Sequence, residues 1–282
     1  MAIKGFWISQ NEAVALDITP SSLDELTGKL SRGFYTTFST LAQGTRVLGL
    51  QAHLNRLYLP AAEVGLHPSI AERGLRNQVA RLVQETIQGE ARVRLILTRD
   101  TGDVYVGIQP FIPLPESVYR DGVHVITSTV SRSDPRIKGT DFITRSAEQR
   151  KLVQGDVFEI LLTHNGRILE GMTSNFYGIR HKGKTGAALV TAQKGILLGV
   201  TRRAVLRLAR GEGMSVDYRA PLIGERFDEA FLTSSSRGVV PIVKIDGQPV
   251  GQGRVGVWAQ RLSKVYQAYV EKRSETILLF IR

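Results

Sequence analysis

Glu170-Gly171-Met172-Thr173-Ser174-Asn175-Phe176 is the stretch on which the reading of this chain turns. The run from Asp156 to His164 has the apolar and β-branched content of a strand, and it meets Asn165-Gly166, the strongest short hairpin signal. The returning strand, Arg167 to Glu170, delivers a carboxylate to a turn of small residues, and another apolar run follows from Ser174 to Ile179. Taken alone, an Asn-Gly hairpin with one Glu is a solvated turn. The surrounding chain decides whether this carboxylate does more.

At 282 residues the chain can form one large domain or two smaller ones, each with its own core, and its apolar content of 42% is that of a globular protein. No apolar run reaches the roughly 18 residues needed to span a bilayer, so no membrane partner is expected. Met1-Ala2-Ile3-Lys4-Gly5-Phe6 lacks the apolar segment of a secretory leader, which points to a cytoplasmic protein. Without cysteine there is no disulfide, thiolate metal site or thiol nucleophile, and the 5 histidines show no metal-ligand spacing. The net charge of +11, from 37 basic and 26 acidic residues, raises the question of nucleic acid. The basic residues are scattered, however, with short knots such as Arg180-His181-Lys182-Gly183-Lys184 that read as loops between strands. Nucleic acid is therefore not an expected partner.

Outward from the hairpin, the chain reads as strands interleaved with helices. Ile3 to Ser9 and Ala13 to Asp17 look like paired strands, and Thr19-Pro20-Ser21-Ser22 opens a helical turn. Gly33 to Thr40 and Thr45 to Gln51 suggest a hairpin around Gln43-Gly44. Leu54, Leu57, Tyr58 and Ala61 share one face of a helix from His53 to Gly65. A second helix covers Ile70 to Ile87, and strands follow at Ala91 to Thr98 and Val104 to Ile108. Pro110, Pro113 and Pro115 stiffen a stretch suited to a connector over 110–121. It would join a smaller N-terminal α/β domain, 1–109, to a larger domain, 122–282. Beyond the connector, strands are expected at Val123 to Val130, Val157 to Thr163, Ser174 to Ile179 and Ala188 to Thr191. Helices are expected at Thr140 to Gln154, Val200 to Arg210 and Gln252 to Glu271, while the apolar Ser274 to Arg282 has no clear place. The fold class is α/β (α+β), with two domains and a cleft between them where ligands bind.

Several further stretches carry chemistry. Lys138 stands in Asp134-Pro135-Arg136-Ile137-Lys138-Gly139 before an amphipathic helix, and an amine there could attack a carbonyl if it is neutral near pH 7. In His53-Leu54-Asn55-Arg56-Leu57 the histidine and arginine fall on one side of a helix. Gly195-Ile196-Leu197-Leu198-Gly199-Val200-Thr201-Arg202 is a tight turn opening a helix, whose free N–H groups and Thr201 hydroxyl suit a phosphate. Thr233-Ser234-Ser235-Ser236 is a run of hydroxyls followed by Val240-Pro241-Ile242.

In this order and spacing, from Gly33 to Asp246, these motifs resemble those of the fold-type IV pyridoxal-phosphate enzymes. That family holds the class IV aminotransferases, for branched-chain and D-amino acids, and the aminodeoxychorismate lyases. Glu170 to Phe176 is similar to its Glu-Gly-x-x-Ser-Asn-x-Phe signature. The resemblance implies the two-domain fold-type IV architecture, with pyridoxal 5′-phosphate in the interdomain cleft. It implies that Lys138 binds the cofactor aldehyde and moves the substrate Cα proton. Glu170 would keep the ring nitrogen protonated, which makes the ring an electron sink. Arg56, Val200, Thr201, Ser235 and Ser236 would bind the phosphate, and Ser174 and Asn175 would complete the cofactor site. His53 would position its neighbours. The resemblance also implies a homodimer and small-molecule amino-acid and 2-oxo-acid substrates.

Substrate choice stays open. Tyr35 matches an aromatic of the family's N-terminal hairpin, but Thr36 stands where many aminotransferases have Glu, and the Phe-Thr-Thr-like run resembles the lyases. Thr98 to Asp103 lacks both the Gly- and Arg-rich continuation associated with the lyases and the Arg-x-His pair of D-amino-acid aminotransferases. Asp141 and Arg145 are charged where the family is usually neutral. Arg32, Arg99 and Arg145 are the candidates for the substrate carboxylate. The expected activity is that of an aminotransferase; the alternatives are an aminodeoxychorismate lyase, releasing pyruvate and p-aminobenzoate, and a non-catalytic relative that binds without turnover.

Overall fold

The structure, a computed structural model, describes residues 3–9, 12–130, 132, 134–183 and 186–278. Residues 1, 2 and 184 and the end of the apolar tail, 279–282, on which parts of the sequence reading fall, lie outside the described residues.

The chain opens with β1 (Lys4–Ile8), β2 (Ala13–Ala15), α1 (Leu23–Gly28), β3 (Gly33–Leu41), β4 (Arg46–Val47), α2 (Leu50–Glu63), α3 (Glu72–Thr86), β5 (Ala91–Thr98) and β6 (Val104–Pro110). There follow α4 (Glu116–Asp121), β7 (Val123–Ser128), α5 (Asp141–Arg145), α6 (Ala147–Arg150), β8 (Val157–His164), β9 (Arg167–Gly171), β10 (Asn175–Lys182) and β11 (Gly186–Thr191). The last elements are α7 (Val200–Gly211), β12 (Ser215–Tyr218), β13 (Glu229–Ser234), β14 (Gly238–Ile245), β15 (Gln248–Pro249), α8 (Val257–Arg273) and β16 (Glu275–Thr276).

These elements form two compact units: Met1–Ile112 with Ile137–Arg145 and Lys272–Arg282, and Pro113–Arg136 with Ser146–Glu271. A linear division at the proline stretch differs from this in two segments, and hydrogen bonds far apart in sequence explain both. Thr140 N donates to Gly33 O (2.9 Å) and Gly33 N to Thr140 Oγ1 (2.8 Å), so the Lys138 segment belongs to β3. β16 pairs with β4, and Glu275 Oε1 accepts from the Leu50 amide at 2.9 Å.

In the first unit the described strands form a sheet of order β16-β4-β3-β5-β6-β1-β2, antiparallel throughout. Alternation along the strands sends Phe34 and Phe38, then Val93, Leu95 and Leu97, then Val104, Val106 and Ile108 to one face. There they meet Leu50, Leu54, Leu57 and Ala61 of α2 and Leu75, Val79, Leu82 and Val83 of α3, spaced at helical period. Tyr35 and Ile96 point to the other face and pack with Ile143 of α5.

In the second unit the order is β12-β11-β10-β13-β14-β7-β8-β9, with β15 beside β14. β11 with β12, β14 with β7 and β7 with β8 are parallel, and the remaining pairs are antiparallel. One core gathers Val125, Leu161, Ile168, Phe176, Leu232 and Val240. Away from it, Tyr177 and Phe231 stack with ring centroids 4.5 Å apart.

Local expectations fail where tertiary contacts compete. The helix expected over Thr140 to Gln154 is two short pieces, α5 and α6, interrupted at Ser146 (φ −95°, ψ 10°), which is fully buried. The strand expected over Thr45 to Gln51 shrinks to Arg46–Val47, because Gly49 (φ 66°) turns the chain into α2 at Leu50. α8 starts at Val257 rather than Gln252, since Gly251 and Gly253 take φ of 55° and 69°.

Candidate functional site

The Asn-Gly hairpin forms as its sequence dictates, with Asn165 and Gly166 at φ 48° and 70° between β8 and β9. It sets Glu170 near the end of β9, opposite Leu162, at 2% exposure. Among the described residues, at least three donors converge on that carboxylate. Arg132 Nε gives a hydrogen bond to Oε1 at 2.8 Å; the Leu197 amide (3.0 Å) and Asn175 Nδ2 (3.4 Å) give theirs to Oε2. A guanidinium and two neutral donors thus fix the orientation of a buried carboxylate.

Asn175 Nδ2 also donates to Leu197 O at 2.8 Å, so Glu170 and Asn175 between them hold both backbone groups of Leu197. That grip fixes the Gly195–Gly199 turn ahead of α7. Gly199 leaves room for this, since a Cβ would lie 2.2 Å from Asn175 Oδ1 and displace that side chain. Among the described residues it caps α7, a 12-residue helix, with no side-chain cap hydrogen bond. Thr201 is buried, its hydroxyl accepting from Tyr266 of α8 at 3.4 Å, and Val200 is half-buried. Ser174 donates to Glu159 Oε2 at 3.4 Å. Ser235 and Ser236 are half-buried in the turn between β13 and β14.

In the first unit, Lys138 lies alongside β3. Its carbonyl accepts from Tyr35 N at 2.9 Å, and a bridge joins Phe34 to Gly139. Gly33 also lets β3 lie close to β5, because a Cβ there would come within 2.0 Å of Leu97 O. Lys138 Nζ sits 4.9 Å from the centroid of the buried Tyr35 ring, and the Arg94 guanidinium lies 5.0 Å from the same ring.

Thr36, next along β3, faces the opposite way. Its Oγ1 is 2.7 Å from His53 Nδ1 of α2, with both residues buried, and the imidazole packs 5.1 Å from the Phe38 ring. Burial first, and then the charges of Arg56 and Lys138, hold the His53 pKa well below its usual 6.5, so the ring is neutral. Arg56 follows one turn later in α2 and is half-buried. Arg32 and Arg99 are exposed neighbours: Arg99 N donates to Arg32 O at 2.8 Å, and the Arg99 guanidinium is 5.4 Å from the Phe34 ring. Arg145 is placed elsewhere, 3.6 Å from Asp141 across one turn of α5.

The structure thus gathers Lys138, Tyr35, Thr36, His53 and Arg56 in the first unit, and Glu170, Asn175 and the Gly195–Gly199 turn in the second. Sequence reasoning missed Arg132. Its side chain is 5% exposed and also donates to Met172 O at 2.8 Å, tying Glu170 to the start of the turn after β9. Arg132 lies outside every helix and strand, so no periodicity marks it; its place shortly before Lys138 was the only available signal.

Among protein families, the one described as Amino-transferase class IV matches residues 33–245. The chain belongs to the class IV aminotransferases. Among relatives in the family, it is 29% identical to a D-alanine aminotransferase of Bacillus licheniformis over 232 residues, covering 77% of this chain and 81% of that one. It is 25% identical to a putative branched-chain-amino-acid aminotransferase of Methanocaldococcus jannaschii over 242 residues, covering 78% and 82%. The fold is that of a T.th. branched-chain amino acid aminotransferase solved with pyridoxamine 5′-phosphate: TM-score 0.80, 20% identity, 99% of each chain. A putative branched-chain amino acid aminotransferase of Thermotoga maritima shares it with TM-score 0.75 at 24% identity, over 95% of this chain and 96% of that one.

Proposed function

We propose that this class IV aminotransferase uses pyridoxal 5′-phosphate to move an amino group between an amino acid and a 2-oxo acid. The observation that carries the reading is Glu170: a nearly fully buried carboxylate, oriented by Arg132, Asn175 and the Leu197 amide, beside a helix start that no side chain among the described residues caps. A buried anion suits a protonated pyridine nitrogen, and free helix amides suit a phosphate, so the residues present fit the cofactor. Family membership and the pyridoxamine 5′-phosphate carried by a protein of the same fold support the same choice.

When bound, the cofactor supplies an electron sink for charge developing at the substrate Cα. Glu170 would hold the proton on the ring nitrogen. The Val200 and Thr201 amides and the Thr201, Ser235 and Ser236 hydroxyls would receive the phosphate, a role that the family resemblance also gives to Arg56, while Ser174 and Asn175 keep the Glu170 turn in shape. The Lys138 amine would hold the cofactor through its aldehyde carbon and would serve as the base that takes and returns the proton at the substrate Cα. Tyr35 packs against Lys138 and limits its rotamers. The neutral His53 adds no positive charge beside Arg56 and Lys138. Product oxo acid leaves before the acceptor binds, giving ping-pong kinetics.

The relatives' names point to D-alanine or branched-chain amino acids as first donors to try, and Arg32 and Arg99 are the carboxylate partners we favour over the ion-paired Arg145. The reading includes a homodimer, to be checked by light scattering, and a cytoplasmic setting. No helix among the described residues is long and apolar enough to cross a membrane.

The visible spectrum of cofactor-loaded protein, recorded with D- and L-amino acids added singly, tests the proposal. A donor should bleach the yellow band and release its oxo acid, and Lys138→Ala should abolish both. A colourless wild-type protein would defeat the reading. Thr36 motivates a second one, aminodeoxychorismate lyase, which release of pyruvate and p-aminobenzoate from aminodeoxychorismate without any oxo-acid acceptor would establish.

A further inference from the structure

Glu159 and Arg237 form an ion pair in the second unit that the steps above do not use. Glu159 lies on β8 with its side chain 4% exposed; Arg237 closes the turn that carries Ser235 and Ser236, its side chain 19% exposed. Arg237 Nη2 meets Glu159 Oε2 at 2.7 Å and also donates to Thr173 Oγ1. Arg237 Nε donates to Ser234 Oγ at 3.0 Å, and its backbone N–H to Ser234 O at 3.4 Å. Glu159 Oε2 further accepts from Thr173 Oγ1 (2.7 Å) and Ser174 Oγ (3.4 Å). The Tyr119 hydroxyl, from α4, donates to Arg237 O at 2.9 Å, and the guanidinium covers the Phe158 ring at 5.3 Å.

One carboxylate oxygen thus collects the Thr173 and Ser174 hydroxyls and a guanidinium whose other arm braces the serine turn. A buried ion pair is a poor device for stability alone, because packed apolar residues do as well. Its use is geometric. A planar fork can hold Glu159 and Ser234 at once in a way that a lysine ammonium cannot.

We infer that Glu159 and Arg237 are a positioning pair, which locks the Ser235–Ser236 turn to the Thr173–Ser174 turn and so sets the serine hydroxyls for a phosphate monoester. The inference rests on the cofactor reading above. Preorganisation of this kind lowers the ordering cost of binding.

The test uses the full chain freed of cofactor, as wild type, Arg237→Lys and Glu159→Gln, titrated with pyridoxal 5′-phosphate and with pyridoxal, which lacks the phosphate. By analogy with the loss of supporting partners around bound ions, both variants should weaken pyridoxal 5′-phosphate roughly 10–100-fold, with pyridoxal moving less than about twofold. Should Glu159→Gln not fold, Arg237→Lys keeps the charge and carries the test. Wild-type affinity for pyridoxal 5′-phosphate in the variants, or equal losses for both ligands, would overturn the positioning role. Wild type binding neither ligand would instead overturn the cofactor reading, and the positioning role with it.

Discussion

Lowering the pH should destabilise this protein through His53. The imidazole is 1% exposed, with Nδ1 against Thr36 Oγ1 and no hydrogen-bond partner for Nε2 among the described residues. It faces the Phe38 ring, and the charged groups acting on it are Arg56 and Lys138. A charged ring there would lack solvent and would meet only cations, which is why its pKa lies well below 6.5. The unfolded chain, in contrast, takes up a proton near 6.5. Stability from this group is therefore complete above that pH and falls as pH drops through it, because acid favours the state that binds the proton. With the folded ring neutral throughout, going from pH of about 7.5 to about 5.5 costs about 1.4 kcal/mol. Urea denaturation at fixed ionic strength, on wild type and His53→Asn without cofactor, measures it. The asparagine can keep a hydrogen bond to Thr36 but does not titrate, so wild type should lose about 1.4 kcal/mol more than the variant over that range. Parallel pH profiles would refute the reasoning.

Leu57→Ala, at a fully buried position where α2 meets the first sheet, should cost about 2–5 kcal/mol in urea denaturation. Gly199→Ala should cost about 1–3 kcal/mol by pushing Asn175 away from Leu197. Hydrogen exchange at the Leu197 amide should then accelerate, since its bond to Glu170 loses support.

Particular elements show how far local pattern reaches. Asn165-Gly166 makes its hairpin because both residues tolerate positive φ, a preference written in the residues themselves. The apolar faces of α2 and α3 and the alternation of β3, β5 and β6 were equally legible, because each repeats within a few residues. The helix expected from Thr140 to Gln154 was not. Its pattern is amphipathic, yet its first turn is drawn to β3 by Gly33 and the chain breaks at buried Ser146. Similarly, Tyr35 and Thr36 are adjacent in the motif but face opposite sides of the strand, and Thr36 spends its hydroxyl on His53.

The sequence by itself pointed to the family, set the order of the motifs and marked Lys138, Glu170 and the glycine turn before α7 as candidates, because each depends on residue type at short spacing. Only the tertiary structure decided that Arg132 holds Glu170, that Glu159 and Arg237 join two turns, and that the Lys138 segment belongs with β3. Those pairings link residues tens of positions apart. Hydrogen-bond geometry that is satisfied only after the chain has closed on itself leaves no periodicity along the chain.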